Sequence, residues 1–133
     1  MASDSREWSM PVLMRQYEDI ASGKKKVEGR VPDFDNPAKD YRSMEPGDVL
    51  IFYAVNPDLS PITDLPECRF RVSFINHYNS IEEMLALEGR TNLLPGTSSD
   101  EDAAKTYTSF PGYVERIKKY GVYALGLERC KEA

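Results

Sequence analysis

The sequence predicts an α+β domain built as a small mixed or antiparallel β-barrel flanked by helices. Three observations point there. Short runs of period-two alternation recur along the chain. They are not spaced by helices in the regular strand–helix–strand rhythm of a parallel sheet. Two segments rich in Pro, Asp and Asn separate the first strands, as long surface arms do. The 133 residues suffice for one domain with its own core. Residues 1–9 read as an N-terminal extension and 10–133 as that single domain.

The elements follow in order. "MPVLMRQYEDIASGKK" reads as a helix, with Val12, Leu13, Tyr17, Ile20 and Ala21 at helical spacing and Pro11 in its first turn. Gly23 is placed to end it, and the lysines beyond complement the helix dipole. "KKVEGRV" alternates Val27, Gly29 and Val31 against Lys26, Glu28 and Arg30, a strand with one apolar and one polar face. "PDFDNPAKDYRSMEPGD" is a long arm over 32–46 that turns into the buried-strand run "DVLIFYAV". Three prolines keep "NPDLSPITDLPE" irregular. "CRFRVSFINHY" alternates Phe70, Val72 and Phe74 against Arg69, Arg71 and Ser73.

Ser80 with Glu83 three residues later opens a helix over "SIEEMLALEG" in capping-box fashion. A second helix begins after a Ser cap and an acidic first turn, with Ala103, Tyr107 and Phe110 as its stripe, and Tyr107 reads as a core residue with its hydroxyl at a rim. "YVERIKKYG" is another helical piece, and "VYALGLERC" is the closing strand.

Composition narrows the function classes. The formal net charge is −5, which disfavours non-specific duplex binding through many Lys and Arg contacts. A local basic pocket for one short anion remains open. Cys68 and Cys130 stand far apart without CxxC spacing, and His77 is the sole histidine, so neither a structural zinc site nor a serine–histidine triad with a second histidine is expected. No cofactor and no metal is called for. No stretch approaches the ~18 apolar residues of a membrane span, and "MASDSREWS" lacks the features of a signal peptide. The expected location is cytoplasmic, without a membrane partner.

One stretch stands out. "SGKKKVEGR" sets four cations and one carboxylate in nine positions. The run "YEDIASGKKKVEGRV", followed by "MEPGDVLIFY", resembles the ASCH domain family, whose fold is a PUA-like β-barrel. The matching positions are Ile20, Gly23, Lys25, Glu28 and Arg30, then Gly47 and Asp48. "YNSIEEMLALEG", "LLPG" and "YGVYALGL" extend the likeness from about Met10 to Leu127. The resemblance implies a cleft lined by the Lys, Glu and Arg, suited to RNA or a nucleotide-like small molecule. One branch is similar to N4-acetylcytidine amidohydrolases, which pair a lysine with a threonine nucleophile three residues on and a distant glutamate. Lys25 keeps the lysine position, whereas Glu28 stands where the threonine would be. Glu88 is the candidate for the distant carboxylate. Another branch has been associated with ribonuclease activity.

Glu28 and Arg30 share a strand face and offer an acceptor beside a planar donor fork. They either meet a ligand, or pair with each other or with Asp48 to close the barrel. Lys25 is a candidate phosphate contact or general base. Tyr41 and Phe34 are placed to stack on a base or to pin the arm. Tyr78 and His77 end a strand, as cleft residues or as structural ones. Arg69 and Arg71 either extend an RNA path or pair with the acidic surplus. The expected binding set is Lys25, Glu28, Arg30, Asp48, Tyr41 and Tyr78, with Lys25 and Glu28 catalytic if the protein is an enzyme. A protein-interaction module, its polar cleft closed by internal salt bridges, is the third reading.

Overall fold

The computed structural model describes residues 6–130. Five strands form one mixed sheet in the order β1-β3-β4-β5-β2, a half-barrel flanked by helices. β1 (Glu7–Leu13) runs parallel to β3 (Val49–Val55); β3 with β4 (Cys68–Tyr78), β4 with β5 (Val122–Arg129) and β5 with β2 (Val27–Arg30) are antiparallel. β1 and β2 are therefore the two edges.

The helix expected from Met10 begins only at Met14, as α1 (Met14–Ala21). Its first residues belong to β1, where Trp8, Met10 and Val12 alternate inward. Two periodicities overlap here, and the strand prevails because β3 offers a full ladder from Glu7↔Val49 to Leu13↔Val55. Pro11 lacks an N–H and is tolerated because β1 is an edge. Residues 7–9, set apart as an extension, are thus part of the sheet.

One face of the sheet carries Trp8, Met10, Val12, Leu50, Phe52, Phe70, Val72 and Leu125, which pack under Tyr17 and Ile20 of α1. The other carries Val27, Val122 and Ala124. Its cover comes from α2 (Ile81–Glu88), α4 (Asp100–Thr108) and α5 (Tyr113–Tyr120), through Ile81, Met84, Ala103, Tyr107 and Ile117. A four-residue helix, α3 (Arg90–Leu93), links α2 to the α4 segment.

The alternation read along β4 does not run through. A register shift between Val72 and Ile75 sends Phe70 and Val72 to the first core and Phe74 to the second. One extra residue in a strand reverses every side chain beyond it. The caps were legible: Ser80 accepts from the Glu83 N–H at 3.1 Å, and Ser99 does the same for Asp102. Among the described residues no helix is long and apolar enough to cross a membrane.

Candidate functional site

The polar face of β2 is buried. Lys25 and Glu28 are 3% and 4% exposed, and Arg30 is partly buried. Gly23, at φ +83°, ends α1 in a backbone conformation open to glycine, and the chain then turns straight into β2. That turn brings the Lys25 ammonium to 3.0 Å from Glu28 Oε1, while Arg30 Nε donates to Glu28 Oε2 at 2.7 Å. Lys25 Nζ also donates to Gln16 Oε1 of α1 at 2.7 Å. At the other end, an Arg30 NH2 group donates to the Pro11 carbonyl of β1 at 3.0 Å. A polar chain Gln16–Lys25–Glu28–Arg30 thus runs to the Pro11 carbonyl, and its last link joins the two free edges of the sheet.

Burial pushes the Glu28 carboxyl up, but the adjoining Lys25 and Arg30 charges outweigh it and hold the group below the usual carboxylate range. Burial disfavours the Arg30 charge, and Glu28 more than restores it, so the guanidinium titrates above its ordinary value.

The arm places Tyr41 beside this chain. Its ring is buried, edge-on to Tyr123 at 6.3 Å and 5.8 Å from Trp8. Burial raises its hydroxyl pKa, and the Arg30 charge works in the opposite direction. Tyr113 of α5 reaches the same neighbourhood of Arg30. Next to Gln16 a cavity of about 220 Å³ opens between α1 and α4, with Arg15, Asp19, Thr97 and Thr106 also in its wall. It is smaller than the ~300–1,000 Å³ of a drug-sized pocket, which suits a base or a sugar rather than a large cofactor.

The relatives of the chain can now be set beside this geometry. No family model and no curated protein matches it. Among solved structures, hypothetical protein PH0355 is 36% identical with a TM-score of 0.73, over 93% of this chain and 99% of that one. Protein PF0455 from Pyrococcus furiosus is also 36% identical, with a TM-score of 0.67 over 95% and 99% of the two chains. The chain belongs to their family. ASCH from Zymomonas mobilis matches at 18% identity and a TM-score of 0.56, over 96% of this chain and 69% of that one. The fold is therefore that of an ASCH domain, and it is PUA-like as the resemblance implied.

Within this ASCH-type fold the six expected site residues separate. Lys25, Glu28, Arg30 and Tyr41 come together. Asp48 does not join them: its carboxylate accepts from the Trp8 indole at 3.0 Å and from the Glu45 and Arg6 N–H groups at 3.1 and 3.2 Å. It ties the starts of β1 and β3 to the turn between the arm and β3. Tyr78 lies on the opposite face of the sheet from Glu28, paired across the ladder with Val122. Its hydroxyl donates to Glu88 at 2.5 Å, and burial together with that carboxylate pushes it up to about 12. Glu88 also accepts from Asn76, so both its contacts are on β4 and neither is Lys25.

His77 donates to the Tyr120 carbonyl at 2.7 Å when Nε2 carries its proton. Phe34 packs on Tyr120 at 4.2 Å, with Arg42 over its other face, and so pins the arm to α5. Arg69 pairs with Glu7, and Arg71 donates to the Gly47 carbonyl.

Sequence reasoning missed Gln16, Tyr113 and Tyr107. Gln16 comes from α1 just ahead of the motif and Tyr113 from α5 far along the chain, and no local pattern marks either. Tyr107 had been read as a core residue with its hydroxyl at a rim. Its hydroxyl is instead buried and has no hydrogen-bond partner among the described residues. It comes up beneath Gly29, where a Cβ would lie 2.6 Å from the oxygen. Leaving a buried hydroxyl unpaired costs about 1–3 kcal/mol. Tyr107→Phe is therefore expected to keep or raise the midpoint of urea unfolding. Gly29→Ala should lower it by about 1–3 kcal/mol through overpacking, and the double variant should recover part of that loss. A drop of more than about 1 kcal/mol in Tyr107→Phe would mean that the hydroxyl has a partner.

Proposed function

We propose that this ASCH domain binds single-stranded RNA or a nucleotide-like small molecule at the seam between β1 and β2. The observation that carries this reading is the buried Lys25–Glu28–Arg30 chain. Buried ion pairs return little net stability, and well-packed apolar residues often do as well or better. Such a chain beside a cavity and two tyrosines is better accounted for by a ligand than by folding. Both Glu28 oxygens already face cations, so Glu28 holds Lys25 and Arg30 in position, while Arg30 and Tyr41 meet the ligand. The polar cavity beside Gln16 takes the base or sugar.

The reading of a hydrolase, acting on a modified nucleoside or on RNA, gains less support. A general base works best with a pKa near the operating pH, and Glu28 is held below the usual carboxylate range. The hydroxyl required for the covalent route is absent at position 28. The buried Lys25–Glu28 contact is the one feature that favours it. The interaction-module reading shares the closed salt bridges, yet it leaves the cavity and the aromatic lining unused.

The test is a titration of purified protein with short single-stranded RNAs and a panel of modified nucleosides, with product analysis of each mixture. Arg30→Ala is run beside the wild type. Loss of one charge-assisted hydrogen bond predicts weaker binding by about tenfold or more. Equal affinity in the two proteins, or no binding by the wild type, would remove the seam as a ligand site. Any product would favour the hydrolase.

A further inference from the structure

Three cations converge where β2 ends, and only one of them belongs to the segment that resembles the ASCH pattern. Arg30 ends the strand. Arg116 of α5 donates to the carbonyls of the next two residues, to Val31 at 2.7 Å and to Pro32 at 3.2 Å, and its guanidinium lies 4.9 Å from the centre of the Tyr113 ring. Lys39 stands in the short 3-10 turn Pro37–Lys39 of the arm. The arm is folded back so that the Asp33 N–H donates to the Lys39 carbonyl at 3.1 Å.

Among the described residues neither Lys39 nor Arg116 forms a salt bridge with a carboxylate. Burial lowers the Lys39 pKa, and the Arg116 and Arg30 charges lower it further, against a smaller opposing effect of Asp33. The charges that bear on Lys39 are those of Arg116, Arg30 and Asp33, and Glu28 already pairs with Arg30, in a chain whose net charge is −5. Like charges gathered in this way are unfavourable unless an anion joins them.

We propose that Arg30, Lys39 and Arg116 form a phosphate subsite, which holds the phosphate of a nucleotide whose nucleoside part lies in the seam. This rests on the reading of the seam as a nucleotide or RNA site and adds the end at which the backbone enters. The arm brings Lys39, α5 brings Arg116, and β2 brings Arg30, so the three donors approach a tetrahedral anion from different sides. Arg116 is anchored through Nε and one NH2 group to backbone carbonyls, which fixes the plane and direction of its remaining N–H donors. Lys39 is exposed by surface area, with its ammonium only partly covered, and its flexible four-carbon stem lets it meet the phosphate as a point charge.

The experiment compares the four nucleosides, their 5′-monophosphates and inorganic phosphate on the wild type, Lys39→Gln and Arg116→Gln. Among the described residues Lys39 makes no side-chain hydrogen bond, so its variant is expected to stay folded even if loss of the Arg116 anchors loosens the arm. In the wild type a monophosphate should bind about tenfold or more tightly than its nucleoside. In Lys39→Gln that advantage should shrink several-fold with nucleoside affinity unchanged, and raised salt should erode it in the wild type. Nucleosides and monophosphates bound equally well would overturn the subsite while leaving the seam reading intact. An advantage that survives in both variants would also overturn it. Inorganic phosphate bound by the wild type and lost in Lys39→Gln, with no nucleoside or nucleotide bound, would support the subsite and overturn the nucleotide reading. No binding of any of these ligands would overturn both.

Discussion

Glu28→Ala is expected to destabilise the protein by about 3–5 kcal/mol, because removing one partner of a buried ion pair leaves the other charge without compensation. Here two charges are left. Lys25 and Arg30 both point at the Glu28 carboxylate, and Lys25 would retain only Gln16. Glu28→Gln keeps the shape and loses the charge, so it should fall between the two proteins. Urea unfolding at neutral pH measures both.

The pH dependence has a defined sign. The folded-state pKa of Glu28 lies below its ordinary value. Its contribution is therefore complete above the unfolded-state pKa of about 4.5 and is lost as pH falls through the lower folded value. The wild type should lose stability over that acid window, and Glu28→Gln should lose less there. Parallel acid profiles for the two proteins would show that folding leaves the Glu28 pKa unchanged.

Gly121→Ala is the second large effect, on the order of 3 kcal/mol or more. Gly121 joins α5 to β5 at φ +77°, ψ −157°, a region open essentially to glycine alone, where another residue costs about 1–3 kcal/mol. A Cβ would also run into the Tyr78 carbonyl oxygen and lie 2.5 Å from His77 Nε2. The first obstacle is backbone inside a paired strand, so relief requires moving β4 or β5, and overpacking of that kind adds about 1–3 kcal/mol. His77→Ala should not rescue the variant, because it removes only the second obstacle. Thermal unfolding within a degree or two of the wild type would mean that the α5–β5 turn can be rebuilt.

β2 and the first half of β4 were legible from their alternation and β3 from its unbroken apolar run, and the caps of α2 and α4 because Ser followed by an acidic turn is a local signal. Glu28 and Arg30 could be placed on one face from their spacing of two. Their burial could not be read, since a charged strand face looks the same whether water or a helix covers it. Trp8 and Met10 were assigned to the wrong side of a boundary because Val12 and Leu13 fit a strand and a helix equally well. The switch at residues 73–74 leaves no trace in composition. Asp48 was grouped with the cleft on the family resemblance and Tyr78 on its place at a strand end; hydrogen bonds to Trp8, Arg6 and Glu45 set the first elsewhere, and pairing with Val122 the second. Lys39, Tyr113 and Arg116 are contributed by turns and helices whose directions only the assembled sheet defines.

β2 has a single partner in the sheet, and that partner is the last strand, with Arg30 opposite Tyr123 and Val27 opposite Gly126. During synthesis the Lys25–Arg30 segment is made early, then waits more than 90 residues for the backbone it will pair with. Until then its cations and its unpaired N–H groups stay in water. Closing so long a loop makes this the slow, late step of folding. The buried Lys25–Glu28–Arg30 chain therefore completes only when β5 docks, and partly made chains carry every residue of that segment without its assembled geometry.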